Sequence, residues 1–383
     1  MKKIIAIGLA VVLIVIQFTC FTSCESESFK ENLSAQLSEF FATTDNNKDK
    51  NEDKNIKTKY STQYFKYFDT VSIITGYTKT KDEFDAIAKE IEELLNNYHK
   101  LFTIYSRYEN FNNMVTINDV TDGAHQVVTV DKELIDMLVF AKEMHTKTNG
   151  MVNIAMGSVL KIWHVYRNEG LSEPSIAQLP KMEKLQAAAK HTDINNLIID
   201  EENNTVYISD PEMFLDVGAI AKGYAVERIA EYLEEKGVTS FIINVGGNVR
   251  TIGLNGENEP FKVGIENPDT ESDEKYIEYL KITDKAVVTS GCYQRFYTVN
   301  GVNYHHIIDP ATLMPGENFM SVSVLADDSG LGDAFSTSLF LMNLNDGKKL
   351  VEATDGIEAM WVLPDGEIIY SSGFEDYTFE YTP

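Results

Sequence analysis

Apolar side chains recur along this chain in two rhythms. From Asp82 to Phe102 they fall at Phe84, Ile87, Ile91, Leu94, Leu95 and Tyr98, the spacing of an amphipathic helix, with acidic residues on the other face. Lys132 to Thr148 repeats that spacing with Leu134, Ile135, Leu138, Val139 and Met144, and Asn149-Gly150 closes it. Further helices are predicted over Ala221–Lys236, ended by Gly237, and over Asp333–Met342. β-branched and aromatic runs predict strands at Phe65–Tyr77, Ser240–Val245, Phe261–Ile265, Tyr276–Ile282, Ala286–Ser290, Ser321–Val324, Ala359–Leu363 and Ile368–Tyr370. Leu197-Ile198-Ile199 and Thr205-Val206-Tyr207-Ile208 flank Asn203-Asn204 and read as a hairpin. Helices and strands are interspersed without strict alternation. That pattern predicts an α+β fold, a largely antiparallel sheet core with packed helices.

Ahead of this stretch the pattern changes. Lys2 and Lys3 precede an uncharged run from Ile4 to Ile16, which suits an export signal and is short for a membrane span. Phe21-Thr22-Ser23-Cys24 then resembles a bacterial lipobox. The resemblance implies a signal peptide over residues 1–23, a diacylglycerol on the Cys24 sulfur, and a protein anchored by lipid on the extracytoplasmic face of the cell membrane. The alternative is an ordinary cleaved signal in which Cys24 is incidental. Thr43 to Asn55 holds no apolar residue and cannot bury enough surface to order itself. Residues 24–59 therefore read as a tether and 60–383 as the folded domain. With Cys24 lipidated, Cys292 would have no partner, and the domain would rely on its core rather than on disulfides.

Composition narrows the chemistry. Lys and Arg total 33 against 59 Asp and Glu, a formal charge of −26. Such a surface repels phosphate backbones, so a nucleic-acid partner is not expected. An anionic small molecule would need a local cation, a metal or a helix N-terminus.

Four segments could supply that chemistry. In Leu215-Asp216-Val217-Gly218-Ala219-Ile220-Ala221-Lys222-Gly223-Tyr224 an Asp at a strand end, small residues and a Lys in the first helical turn could hold a phosphate. The bland reading is a strand-to-helix turn with a solvated Lys. In Gly332-Asp333-Ala334-Phe335-Ser336-Thr337 a carboxylate and a hydroxyl four apart share a helix face, oxygen donors suited to Mg²⁺. The bland reading is an N-terminal Asp favoured by the helix dipole. Tyr304-His305-His306-Ile307-Ile308-Asp309-Pro310 puts two His on opposite faces of a strand, so one imidazole as general base suits it better than zinc. A core His bonded to backbone is the bland reading. Thr289-Ser290-Gly291-Cys292-Tyr293 is a strand end with hydroxyls that could bind phosphate, without the surroundings of a serine nucleophile.

Together these segments resemble the ApbE family of FAD:protein FMN transferases. Asp216 to Gly223 is similar to its D-[LV]-G-[GA]-I-A-K-G. Asn244-Val245-Gly246-Gly247-Asn248 is similar to N-[LV]-G-G-[DN]. Thr289-Ser290-Gly291, His306 to Pro310 and Asp333 to Thr337 resemble T-S-G, H-I-[IL]-D-P and D-A-[LF]-S-T, in family order. Phe68-Asp69-Thr70 and the segment Gly150–Gly157 with Trp163 fill two earlier places. The resemblance implies an ApbE/T-fold-like domain. It implies Mg²⁺ held by Ala219, Asp333 and Thr337, and FAD held by Phe68, Tyr105, Met151, Val152, Asn153, Asp216, Lys222, Ser290, Ile307 and Ile308. His306 would activate the acceptor hydroxyl. Asn153, Ala155, Phe68 and Cys292 stand where the family commonly has Asp, Thr, Met and an acidic or amide residue. The implied reaction moves FMN from FAD to a Thr or Ser hydroxyl of an exported protein carrying D-G-x-[ST]-x-[ST], and AMP leaves. Two alternatives remain open on sequence: a Mg²⁺-dependent FAD pyrophosphatase, and an FAD-binding lipoprotein without catalysis.

Overall fold

The computed structural model describes residues 57–381. The signal segment, Cys24 and the polar spacer through residue 56 lie outside the described residues. Eight strands form one antiparallel sheet whose order follows the chain. They are β1 (Thr58–Tyr67), β2 (Thr70–Thr78), β3 (Ser240–Val245), β4 (Asn248–Gly253), β5 (Ala286–Gly291), β6 (Ser321–Ala326), β7 (Ile357–Val362) and β8 (Ile368–Tyr370). The longer helices are α1 (Lys81–Phe102), α2 (Lys132–Lys147), α3 (Gly157–Ser172), α4 (Ala221–Glu235), α5 (Ser329–Leu341) and α6 (Leu344–Glu352). The expected α+β class holds.

Alternation along the strands divides the core in two. Ile74, Phe241, Ile243 and Ile252 face Ile91 and Leu95 of α1 and Ile229 and Leu233 of α4. Val287, Leu325 and Met360 point the other way, where the hairpin Phe261–Glu266 and Tyr276–Ile282 covers them with Val263 and Leu280. α5 is the central helix, with Phe335, Leu339 and Phe340 fully buried. It is apolar nearly all round, as a helix with no solvent face must be.

Several boundaries differ from the sequence reading. The single strand expected at Phe65–Tyr77 is two strands, split by Phe68 and Asp69 at φ +54° and +51°. Two successive positive φ values make the mirror-image hairpin turn, which usually announces itself with Asn-Gly and here does not. β4 escaped prediction because its inward residues include Asn248, Arg250 and Thr251 rather than aliphatic ones. Asp216 does not end a strand; it lies in an irregular segment between Met213 and Val217. α5 starts at Ser329, capped by Asp328, so Asp333 is well inside the helix and the dipole reading of it fails.

One buried ion pair ties the helix layer to the sheet. Arg250 of β4 donates from Nε to Glu227 Oε2 at 3.0 Å and from Nη2 to Oε1 at 3.1 Å. The same Oε2 accepts from the Ser329 N–H at 2.6 Å, at the start of α5. Burial pushes the Glu227 carboxyl up, and Arg250 with the Ser329 N–H opposes this. Arg250→Met leaves Glu227 buried without its cation. We expect it to lower unfolding free energy in denaturant by about 3–5 kcal/mol, and Glu227→Leu/Arg250→Met to recover part of the loss. A double variant as unstable as the single would contradict this.

Candidate active site

α4 and α5 cross at Gly223. A Cβ there would stand 2.2 Å from the Ser329 carbonyl oxygen and 2.5 Å from the Asp333 Cβ, so the approach requires glycine. The closeness lets the Gly223 N–H donate to Asp333 Oδ2 at 2.8 Å. α4 begins at Ala221 after Ile220, so the Gly223 N–H is one of the first-turn groups left without a carbonyl inside the helix, and Asp333 satisfies it. The next N–H, of Tyr224, does reach its partner Ile220 at 3.0 Å. Among the described residues no backbone N–H donates to the Ala219 carbonyl, which is left open at the first turn of α4.

Asp333 is 4% exposed. Burial pushes its carboxyl above the ordinary range, while Lys222, the Gly223 N–H and Asn248 pull it back down. Lys222 Nζ stands 3.6 Å from Asp333 Oδ1. One turn along α5, the Thr337 hydroxyl lies 3.4 Å from Ser290 Oγ, which is 2.9 Å from Ser336 Oγ. A carboxylate, an open carbonyl and a hydroxyl on adjoining turns are hard oxygen donors, the set a small divalent cation takes. Among the described residues no three His, Cys, Asp or Glu side chains gather as a metal cluster, and this donor set contains a single carboxylate.

The β3–β4 turn forms a second wall. Gly246 and Gly247 sit at φ +55° and +91°, and the Gly247 N–H is held by Asn244 Oδ1 at 3.0 Å. A Cβ on Gly246 would meet Thr70 Oγ1 at 2.4 Å. The glycine pair thus admits the Phe68-Asp69-Thr70 turn. Arg295 Nη2 donates to the Asp69 carbonyl at 3.1 Å, and the Arg295 carbonyl accepts from His306 Nδ1 at 3.2 Å. Because a carbonyl only accepts, Nδ1 carries the hydrogen and Nε2 is the open lone pair. Burial, then Arg295, His305 and Arg167, push the His306 pKa down to about 3. His305 turns the other way. Its Nδ1 accepts from the Ile307 N–H at 3.2 Å and its Nε2 donates to the Gly316 carbonyl at 2.6 Å. The strand Val302–His305 ends before His306, which lies in the following bend, so the two rings part because the strand stops there rather than by alternation along it; His305 is the structural imidazole.

Asp216 supplies the third wall. Its Oδ1 accepts from the Gly218 N–H at 2.9 Å, and its own N–H is anchored on the Ile154 carbonyl at 2.8 Å. The buried Asn118 amide pairs with both backbone groups of Leu215, at 2.8 and 2.9 Å. His164 Nε2 stands 3.9 Å from Asp216 Oδ2, and its Nδ1 is 3.5 Å from the hydroxyl of the exposed Tyr105. Burial pushes His164 down and Asp216 opposes it. Sequence reasoning missed His164, Asn118 and Arg295. His164 follows Trp163 on a helix that was not predicted, and Asn118 acts from 97 residues away.

Other expected contacts are less available. Val152 is buried in the main core, and Ile307 and Ile308 point into two separate clusters, so they can meet a ligand only through backbone. Both ends of the Asn153 amide are in use, accepting from the Ala155 N–H at 3.0 Å and donating to the Thr192 carbonyl at 2.8 Å. Met151 packs beside the Ile307 cluster, and the Phe68 ring stands edge-on to His99 at 5.7 Å.

An antiparallel α+β domain with a helix-start lysine, a set of hard oxygens and a neutral imidazole defines an enzyme site built for phosphate chemistry. The chain belongs to the ApbE family, whose sequence model matches residues 58–361. It is 32% identical to an FAD:protein FMN transferase of Klebsiella pneumoniae over 75% of this chain and 85% of that one. It is 30% identical to the protein of that name from Vibrio cholerae over 83% and 87%. Its fold is similar to the crystal structure of the ApbE protein of Thermotoga maritima, with a TM-score of 0.73 and 28% identity over 84% of this chain and all of the other. The flavin transferase ApbE from Vibrio cholerae gives 0.69 and 25%, over 84% and 99%.

The His306 environment makes a prediction about pH. A folded pKa below the ordinary 6.5 means the unfolded chain takes up a proton that the folded chain refuses. Stability from this group is therefore lost as pH falls from about 6.5 toward 3. We expect the His306 ring resonance, assigned by its absence in His306→Gln, to stay unshifted between about pH 5 and 8, where an ordinary imidazole titrates. A midpoint near 6.5 would contradict the assigned environment.

Proposed function

We propose that this chain transfers FMN from FAD to a Thr or Ser hydroxyl of an exported acceptor protein, with Mg²⁺ held by Asp333, Thr337 and the Ala219 carbonyl. The observation that supports this most is the buried Asp333 carboxylate, held by the Gly223 N–H where α4 and α5 cross, with an Ala219 carbonyl just ahead of α4 that accepts no backbone N–H among the described residues. Bound Mg²⁺ would neutralise the FAD diphosphate and the charge that builds as it is cleaved. Lys222 adds an ammonium at the helix start. Asp216 and Tyr105 border the space for the rest of the nucleotide. His306 Nε2 accepts the proton of the acceptor hydroxyl. The hydroxyl oxygen then bonds to the FMN-side phosphorus, the bond from that phosphorus to the bridging oxygen breaks, and AMP departs with that oxygen. An imidazole titrating near 3 is a weak base on its own, so the proton moves to Nε2 as the oxygen–phosphorus bond forms and the hydroxyl grows acidic, rather than beforehand.

The acceptor is another protein. Asp122-Gly123, Asp346-Gly347, Asp355-Gly356 and Asp365-Gly366 are followed by His125, Lys349, Glu358 and Ile368 at the places a D-G-x-[ST] acceptor gives to Ser or Thr. The proposed location is the extracytoplasmic face of the membrane, through lipid on Cys24.

Asp333→Ala should abolish FAD turnover while the chain stays folded, and EDTA should do the same to the wild type. Full activity under either condition would remove the metal reading. His306→Asn should slow transfer by on the order of 10²–10⁴ while FAD affinity, read by flavin fluorescence, changes much less. Equal loss of both would make His306 a nucleotide contact instead. Cys24→Ala should move the protein from the membrane fraction to the soluble exported fraction, since a diacyl anchor holds a protein stably where a single chain does not. A variant that remains membrane-bound would show an uncleaved anchor.

A further inference from the structure

One buried oxygen beside the helix crossing has no donor. Asn248 is 2% exposed, and its Oδ1 accepts no hydrogen bond. The other end of the amide is committed. Nδ2 points to the Val245 carbonyl at 3.5 Å, and the side chain lies near enough to Asp333 to pull its carboxyl down. A carbonyl and a carboxylate can only accept, so the amide nitrogen must face them and Oδ1 must face away. Turning the amide over would set acceptor against acceptor on both sides.

The fold holds Asn248 in this place. It follows the Gly246-Gly247 turn and opens β4, opposite Val288 of β5. α5 lies directly over that row: a Cβ on Gly332 would stand 2.9 Å from Val288 Cγ2. Asp333 is the next residue of α5, and Asn248 is near enough to it to lower its carboxyl pKa. A buried acceptor at such a point is costly unless a donor arrives with a ligand. Mg²⁺ is that kind of ligand, because it retains several waters when proteins bind it.

We propose that Asn248 is a positioning residue of this site, its N–H holding the Asp333 carboxylate in place and its free Oδ1 accepting a hydrogen bond from a water in the ion's hydration shell. This rests on the Mg²⁺ reading above. It gives the Asn that follows the two glycines a physical role, since neither a shorter nor an apolar side chain could do both.

The test is the unfolding temperature of the full chain as MgCl₂ is added, with FAD present and no acceptor. Binding to the folded state raises that temperature according to the ion's dissociation constant. Asn248→Leu should displace the MgCl₂ titration to about 10–100-fold higher concentration, the usual cost of losing a partner of a metal ligand. Asn248→Asp keeps an acceptor oxygen but sets a second anion beside Asp333. It should lower the unfolding temperature without Mg²⁺ and enlarge the rise on adding it. If Asn248→Leu fails to fold, the Asp variant alone decides. A Leu variant titrating at wild-type concentrations, or an Asp variant matching wild type with and without Mg²⁺, overturns the proposal. A wild type that binds FAD yet does not respond to MgCl₂ overturns the metal reading itself, which separates the two failures.

Discussion

The hydrogen bond from the Gly223 N–H to Asp333 is the constraint on which the site depends. A carboxylate inside an apolar helix is unfavourable unless paired or hydrogen-bonded. α5 is such a helix, and its Asp333 is met by the start of α4 rather than by water. That meeting needs a residue without a side chain at position 223, because the Ser329 carbonyl lies where a Cβ would be. It also satisfies one of the N–H groups that the first turn of α4 cannot pair within the helix. Packing, helix capping and ligand chemistry are one event here.

The same economy governs charge. The chain carries −26 overall, yet the site must accept a dianionic diphosphate. Long-range attraction cannot achieve this. The positive groups are local and oriented: Lys222 at a helix start and Arg295 across the Asp69 carbonyl. Burial of its own ring leaves His306 neutral, with Nδ1 tied to the Arg295 carbonyl and Nε2 open.

Much of this was legible in the sequence, for definable reasons. α1 and α2 have one-sided apolar stripes, and the packing of Ile91, Leu95, Leu134 and Leu138 in the core follows them. The Asp333 and Thr337 spacing needed only helical geometry. The hairpin turn at Phe68-Asp69 was not legible, since neither residue advertises positive φ. β4 was not, because its inward positions serve an ion pair and the site rather than an aliphatic core. Asn118, His164 and Arg295 reach the site through contacts far apart in sequence, which no local pattern encodes. Ile307 and Ile308 show the reverse case: a motif can mark residues whose side chains build the walls, not the lining.

The central claim is that FAD is opened by a protein hydroxyl. Its most direct test is intact mass analysis of a co-exported D-G-x-[ST]-x-[ST] protein after incubation with this chain, FAD and Mg²⁺, with AMP and free FMN measured in the same mixture. The account predicts one FMN phosphoester on the acceptor for each AMP released, and little free FMN. Free FMN formed in step with AMP, over an acceptor of unchanged mass, would contradict it.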